Sequence, residues 1–117
     1  MYTGVILKES LQNDDMLGLI KIQKVELWPA PNHAKGQPAY WTAIHFISDE
    51  IDLPSILSYS LKDTLWYVDM REGNTHTVIV LKDTIIRYPL GDINGKQKAQ
   101  EACKRAGVPD SQLDWLD

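Results

Sequence analysis

Cysteine occurs once in this 117-residue chain, at position 103. A lone thiol excludes an internal disulfide framework and a multi-cysteine zinc site. Its place on the apolar side of a predicted helix reads as a small core residue rather than a nucleophile. Basic residues are also in deficit, with 12 Lys and Arg against 16 Asp and Glu, for a formal net charge of −4. Nucleic-acid recognition needs cations gathered on one face to neutralise phosphates, so no nucleic-acid partner is expected. Long apolar runs are missing too. Val5-Ile6-Leu7 is too short for a signal-peptide core, and nothing approaches the roughly 20 apolar residues of a membrane-spanning helix. The sequence therefore reads as cytoplasmic, with no membrane partner.

What is present is ordinary globular material: 44% hydrophobic and 24% charged residues, with neither repeats nor low-complexity segments. That composition suits one domain over residues 1–117, built on a single core. The only long punctuated stretch, PAPNHAKGQP at 29–38, carries three prolines and reads as a loop between strands. A domain boundary there would leave halves too small to fold alone.

Strands are predicted at 2–8, 20–28, 40–47, 65–72, 75–82 and 84–90, with a possible short helix at 14–19 capped by Asn13 or Asp14. The phase shift between Ile20 and Ile22 on one side and Val25 and Leu27 on the other suggests a bulge in the second strand. Residues 40–47 are apolar at nearly every position, as in a central strand covered on both sides. Asp52-Leu53-Pro54 opens a helix in which the Asp52 carboxylate caps a free amide and proline sits in the first turn. Leu53, Ile56, Leu57 and Leu61 follow at helical spacing. A second helix spans about 95–106, with Ala99, Ala102, Cys103 and Ala106 on one face, and Gly107 and Pro109 stop it. The order fits an α+β fold, an antiparallel sheet of five or six strands with two main helices packed on one face. An exposed first strand would be free to pair with its twin in a homodimer.

The stretch REGNTH at 71–76 decides which side chains share a surface. With Gly73-Asn74 as a two-residue type II′ turn, Arg71 opposes His76, Asp69 opposes Val78 and Tyr67 opposes Val80. The next turn, Lys82-Asp83, then sets Val78 against Arg87. One face would carry Tyr67, Asp69, Arg71, His76 and Arg87, and these five form the candidate ligand-binding set. Guanidinium forks suit carboxylates and other anions, and imidazole changes charge near neutral pH. The bland alternative is an exposed sheet face with weak cross-strand pairs, which is the commoner arrangement.

Other constellations carry less. GDINGKQ at 91–97 has three residues between its glycines and Gln after Lys, so it fails as a phosphate-binding loop and reads as a helix start capped by Asp92 or Asn94. No cofactor is implied. His33, His45, His76 and Asp69 lack ligand spacing for a metal, and His45 reads as a hydrogen-bonded, semi-buried residue. Four Trp and five Tyr are many for the length. Adjacent aromatics at Tyr40-Trp41 and Trp66-Tyr67 must point to opposite sheet faces, where they build either a partner surface or a second small core under the 29–38 loop. The closing LDWLD is expected to dock Leu113 and Trp115 or Leu116.

Trp66-Tyr67-Val68-Asp69 and Gly107-Val108-Pro109-Asp110-Ser111-Gln112-Leu113-Asp114-Trp115 resemble a group of small uncharacterised bacterial single-domain proteins. That group shares a Trp-Tyr-x-Asp strand and a Gly-Ile/Val-Pro-x-x-Gln-Leu-Asp-aromatic ending over roughly the C-terminal half. The resemblance implies a bacterial cytosolic domain and no known activity. Function then divides between two readings. The favoured one is a non-enzymatic binding or interaction domain using an open sheet face for a protein partner or a small anionic molecule. The other is a small enzyme using Asp69 and His76 as acid and base beside Arg71 or Arg87.

Overall fold

A computed structural model describes residues 1–115. Six strands form one antiparallel sheet: β1 (Tyr2–Leu7), β2 (Lys21–Pro29), β3 (Tyr40–Ser48), β4 (Val68–Glu72), β5 (His76–Leu81) and β6 (Thr84–Pro89), in spatial order β2-β3-β1-β4-β5-β6. Two helices, α1 (Leu53–Ser60) and α2 (Ile93–Arg105), complete the α+β arrangement. The 14–19 segment is a short 3-10 turn over Asp15–Leu19, entered where Asn13 Oδ1 accepts from the Asp15 amide at 3.1 Å. The bulge foreseen in β2 falls between Ile22 and Lys24. β1 lies inside the sheet, paired with β3 on one side and β4 on the other. It is therefore closed to a twin, and the free edges belong to β2 and β6.

The helices lie on opposite faces, which corrects the expectation that both pack on one. Alternate residues of a strand point to opposite sides, and β5 divides its apolar residues accordingly. Val78 and Val80 join Ile6, Phe46, Val68 and Met70 in a core with Leu53, Leu57 and Leu61, under α1 and the turn containing Met16. Ile79 and Leu81 join Tyr88 in a second core with Ala99 and Cys103 of α2 and with Val108, Leu113 and Trp115. We call these the α1 face and the α2 face. β5 is thus a strand covered on both sides, the role the sequence pattern suggested for β3.

The helix ends follow local chemistry. Asp92 Oδ1 accepts from the Gly95 amide at 3.1 Å, capping α2, and Lys104 and Arg105 occupy its last turn, where cations complement the helix dipole. α1 takes Pro54 in its first turn, but Asp52 makes no side-chain cap bond, contrary to expectation. α2 seats close to the sheet because Gly95 has no side chain. A Cβ there would fall 2.6 Å from Tyr88 Cβ. Leu113 and Trp115 dock as expected, Trp115 Nε1 donating to Tyr88 Oη at 2.8 Å. Leu116 lies outside the described residues.

Candidate functional site

The β4–β5 hairpin decides where the candidate site residues go, and its loop is one residue longer than the sequence reading supposed. Glu72 opposes His76, with Gly73, Asn74 and Thr75 between them. The Glu72 carbonyl accepts from the Thr75 amide at 3.2 Å, and Gly73 takes φ +53°, which glycine adopts at no steric cost. Two further bonds hold this geometry: the Gly73 amide to the Met1 carbonyl at 2.9 Å, and the Leu90 amide to the Thr75 carbonyl at 2.9 Å. The following turn has the expected register, Val78 opposite Arg87, with Asp83 rather than Lys82 accepting positive φ.

A one-residue shift moves every side chain of one strand to the other face. Asp69 now opposes Ile79, and Arg71 opposes Thr77. Tyr67, Asp69 and Arg71 therefore stand on the α2 face, while His76 and Arg87 stand on the α1 face. The five residues do not form one patch, and the enzyme reading loses its Asp69–His76 pair. Each group finds other company. Arg87 Nε donates to Glu72 Oε1 at 3.0 Å, and Tyr2 Oη donates to Glu72 Oε2 at 3.1 Å. His76 Nδ1 sits 3.9 Å from the same carboxylate. The hydrogen bond from Arg87 holds the Glu72 carboxyl below the usual range. On the other face Arg71 Nη1 lies 4.0 Å from Asp69 Oδ2.

The concave surface lies where Asp69 does, on the α2 face, toward the end of the sheet that α2 leaves uncovered. A cleft of about 330 Å³ opens between the β2–β3 connection and the C-terminal segment 111–115. Val5, Leu7 and Asp69 line it from the sheet, with Trp28, Trp41, Trp66, Tyr67 and Trp115 around them. Pro29 and Pro31 belong to the same wall, Gln112 and Asp114 to the opposite one. Trp28 and Trp41 are cross-strand partners, so β2 and β3 present their rings side by side. The proline loop is pinned in place, with Gln112 Nε2 donating to the Asn32 carbonyl at 2.8 Å and to Gln37 Oε1 at 2.9 Å. The loop and tail thus form the cleft walls as one hydrogen-bonded unit.

The rings pack against one another. Trp41 meets Trp66 edge-on at 5.7 Å, and Tyr67 packs against Trp115 at 5.2 Å. Tyr67 Oη donates to the Gln112 carbonyl. Burial, then the negative charges of Asp69 and Asp114, drives the Tyr67 pKa far upward, so the phenol stays protonated and serves as a donor. At the cleft margin His45 Nε2 lies 2.6 Å from Glu26 Oε1, and Trp28 Nε1 donates to the same oxygen at 3.3 Å. His45 is the half-buried, hydrogen-bonded residue anticipated. Beneath the sheet, Cys103 is fully buried, and burial with the nearby Asp69 charge pushes its thiol up to about 12. It is a packing residue.

Of the five residues singled out from the sequence, Tyr67 and Asp69 line this cleft, as do members of both flagged aromatic pairs. Sequence reasoning did not connect them with Trp28 and Asp114, because strand order brings β2 and the tail to the same end. Among the described residues no group of three or more His, Cys, Asp or Glu is arranged to hold a metal ion. Among the described residues no helix is long and apolar enough to cross a membrane. No protein-family model, curated protein or solved structure matches the chain.

Proposed function

We propose that this protein is a small non-enzymatic binding module whose aromatic cleft takes a cationic group, an ammonium or guanidinium, flanked by apolar surface. The observation that carries this reading is the composition of the cleft wall. Five tryptophan and tyrosine rings and the carboxylates of Asp69 and Asp114 line it, and among the described residues no Lys, Arg or His does. Aromatic faces attract cations through their quadrupole, and the attraction strengthens as water is excluded. Carboxylates at the same site add charge complementarity and repel anions. The small anionic ligand suggested by Arg71 and Arg87 fits this cleft poorly, since Arg87 is committed to Glu72 on the far face, and Arg71, 4.0 Å from Asp69, is not among the residues that line the cleft. A basic side chain of a protein partner and a free small ammonium compound share the recognition chemistry.

Tryptophan fluorescence provides the readout. Titration with methylated lysine amide and with arginine amide is expected to quench or shift emission saturably, while inorganic phosphate and citrate leave it unchanged. Asp69→Asn is expected to weaken binding about tenfold, and Trp41→Ala to weaken it further. A response to the anions alone, or cation binding indifferent to Asp69→Asn, refutes the assignment.

A further inference from the structure

The second feature of note lies on the other side of β2. Its α2-face side chains are Lys21, Lys24, Glu26 and Trp28, whereas its α1-face side chains are Ile22, Val25, Leu27 and Pro29. α1 covers the centre of the sheet and does not reach this end. Ile22, Val25 and Leu27 remain 47%, 56% and 68% exposed, and Tyr40 of the neighbouring β3 is 58% exposed. β2 is also an outer strand, so its outward backbone donors and acceptors have no partner strand. Edge strands usually carry a device against pairing, such as proline, an inward charge or a bulge. Here proline comes only at the last residue, Pro29, and the bulge sits near the start. Lys24 to Trp28 is left as a regular ladder in which Lys24 is the one lysine, and the pairing argued below gives it an acidic partner.

We infer that a second copy of this chain pairs antiparallel with β2, joining two sheets into one about a two-fold axis at Val25. Charge selects this register, which places Val25 opposite its own mate and, with Gln23 taken up as the bulge, sets Leu27 opposite Ile22 of the partner subunit on the α1 face. The same alignment sets Lys24 opposite Glu26 of the partner subunit and Glu26 opposite Lys24 of the partner subunit, two opposite-charge pairs on one face. Sliding by one residue in each chain, the smallest step that keeps faces matched, opposes Glu26 to itself in one direction and Lys24 to itself in the other. Like charges directly opposed are unfavourable. The hydrogen bond from His45 holds the Glu26 carboxyl below the usual range, so the acidic member is ionised at neutral pH. On the α1 face the pairing makes Val25 and Leu27 of both copies neighbours, sheltering the flanks of side chains that the monomer leaves in water. β6, the opposite edge, is six residues long against nine for β2, and its Arg87 is engaged by Glu72.

A two-fold axis perpendicular to the sheet keeps like faces together, so the dimer carries both aromatic clefts on the same side. The dimer stands independently of what those clefts bind.

Sedimentation velocity over a concentration series tests the inference on the intact chain. The wild type is expected to dimerise reversibly. Lys24→Glu alone and Glu26→Lys alone each oppose like charges and are expected to weaken the dimer about tenfold or more. An equimolar mixture of the two variants restores opposite charges at both pairs and is expected to form a heterodimer as readily as the wild type. Circular dichroism of each variant separates lost association from lost folding. Val25→Cys supplies a second readout, since the cysteine would face its own mate and, with oxidised glutathione added as oxidant, form a disulfide-linked dimer, whereas Leu27→Cys would not. A wild type that stays monomeric at every soluble concentration overturns the inference. So does a dimer untouched by the single reversals but broken by Leu27→Asp, which would mean that two α1 faces stack instead.

Discussion

Strands β5 and β2 both carry a row of aliphatic residues on the α1 face, and the fold treats those rows in opposite ways. From Thr77 to Leu81 every residue of β5 is buried, because α1 covers one side of it and α2 with the C-terminal segment covers the other. Along β2 most residues are exposed, including three aliphatic side chains on one face. Apolar patterning thus records a tendency to be covered, and position in the sheet decides whether the monomer itself supplies the cover. Where it does, the residues hold the fold together. Where it does not, on an outer strand beside an aromatic cleft, they stay exposed in the monomer, and this is the surface the proposed dimer would use.

The largest test of this contrast is a pair of truncations. Ile79→Ala on β5 is expected to cost about 2–5 kcal/mol of folding stability, as for other buried aliphatic residues in well-packed cores. Leu27→Ala on β2 is expected to change it by less than about 0.5 kcal/mol under conditions where the chain is monomeric. Urea unfolding of both variants gives the comparison directly, and similar losses would erase the distinction between covered and uncovered strand. A smaller effect sharpens it within β5. Thr77 is fully buried, and its Oγ1 has no hydrogen-bond partner among the described residues. Thr77→Val keeps the branched shape and removes the unpaired hydroxyl, so a gain of about 1 kcal/mol is expected in the same unfolding experiment.

The smallest effect concerns the polar fringe at the covered end. Because Arg87 lowers the Glu72 pKa, the ionised carboxylate stabilises the folded chain. That contribution is fully present above the unfolded carboxylate value, about 4.3, and is lost as pH falls through the lower folded value. The stability difference between wild type and Glu72→Gln should therefore shrink as pH falls below about 4. Unfolding curves measured across that range provide the check, and a difference that grows below about pH 4 would contradict the pairing.

Much of the fold was legible because local signals agreed with one another. Strand positions, the β2 bulge, proline in the first turn of α1 and the Asp92 cap on α2 all follow from residue type and spacing. The Lys82-Asp83 turn also gave the right partners for β6. The β4–β5 register did not follow, and the reason is specific. β5 is apolar on both faces, so slipping it by one residue exchanges Val78 and Val80 for Ile79 and Leu81 with no exposed hydrophobe to betray the error. The choice fell to backbone bonds from Met1 and Leu90 into the turn, partners remote in sequence. The aromatic cleft was visible only as parts: Trp66-Tyr67, expected on a strand with opposed rings but placed just before β4 with both rings lining the cleft, Trp41 on β3, and Trp115 in the tail.

The amino-acid sequence alone determined the α+β character, the element order, the acidic balance and the buried role of Cys103, since each rests on composition or on neighbours a few residues apart. Tertiary structure alone decided that the helices take opposite faces, that Asp69 parts from His76 and Arg87, and that β2 rather than β1 forms an edge. Those outcomes depend on strand order and on a single residue of register, and period-two patterning cannot encode either when both faces of a strand are destined to be covered.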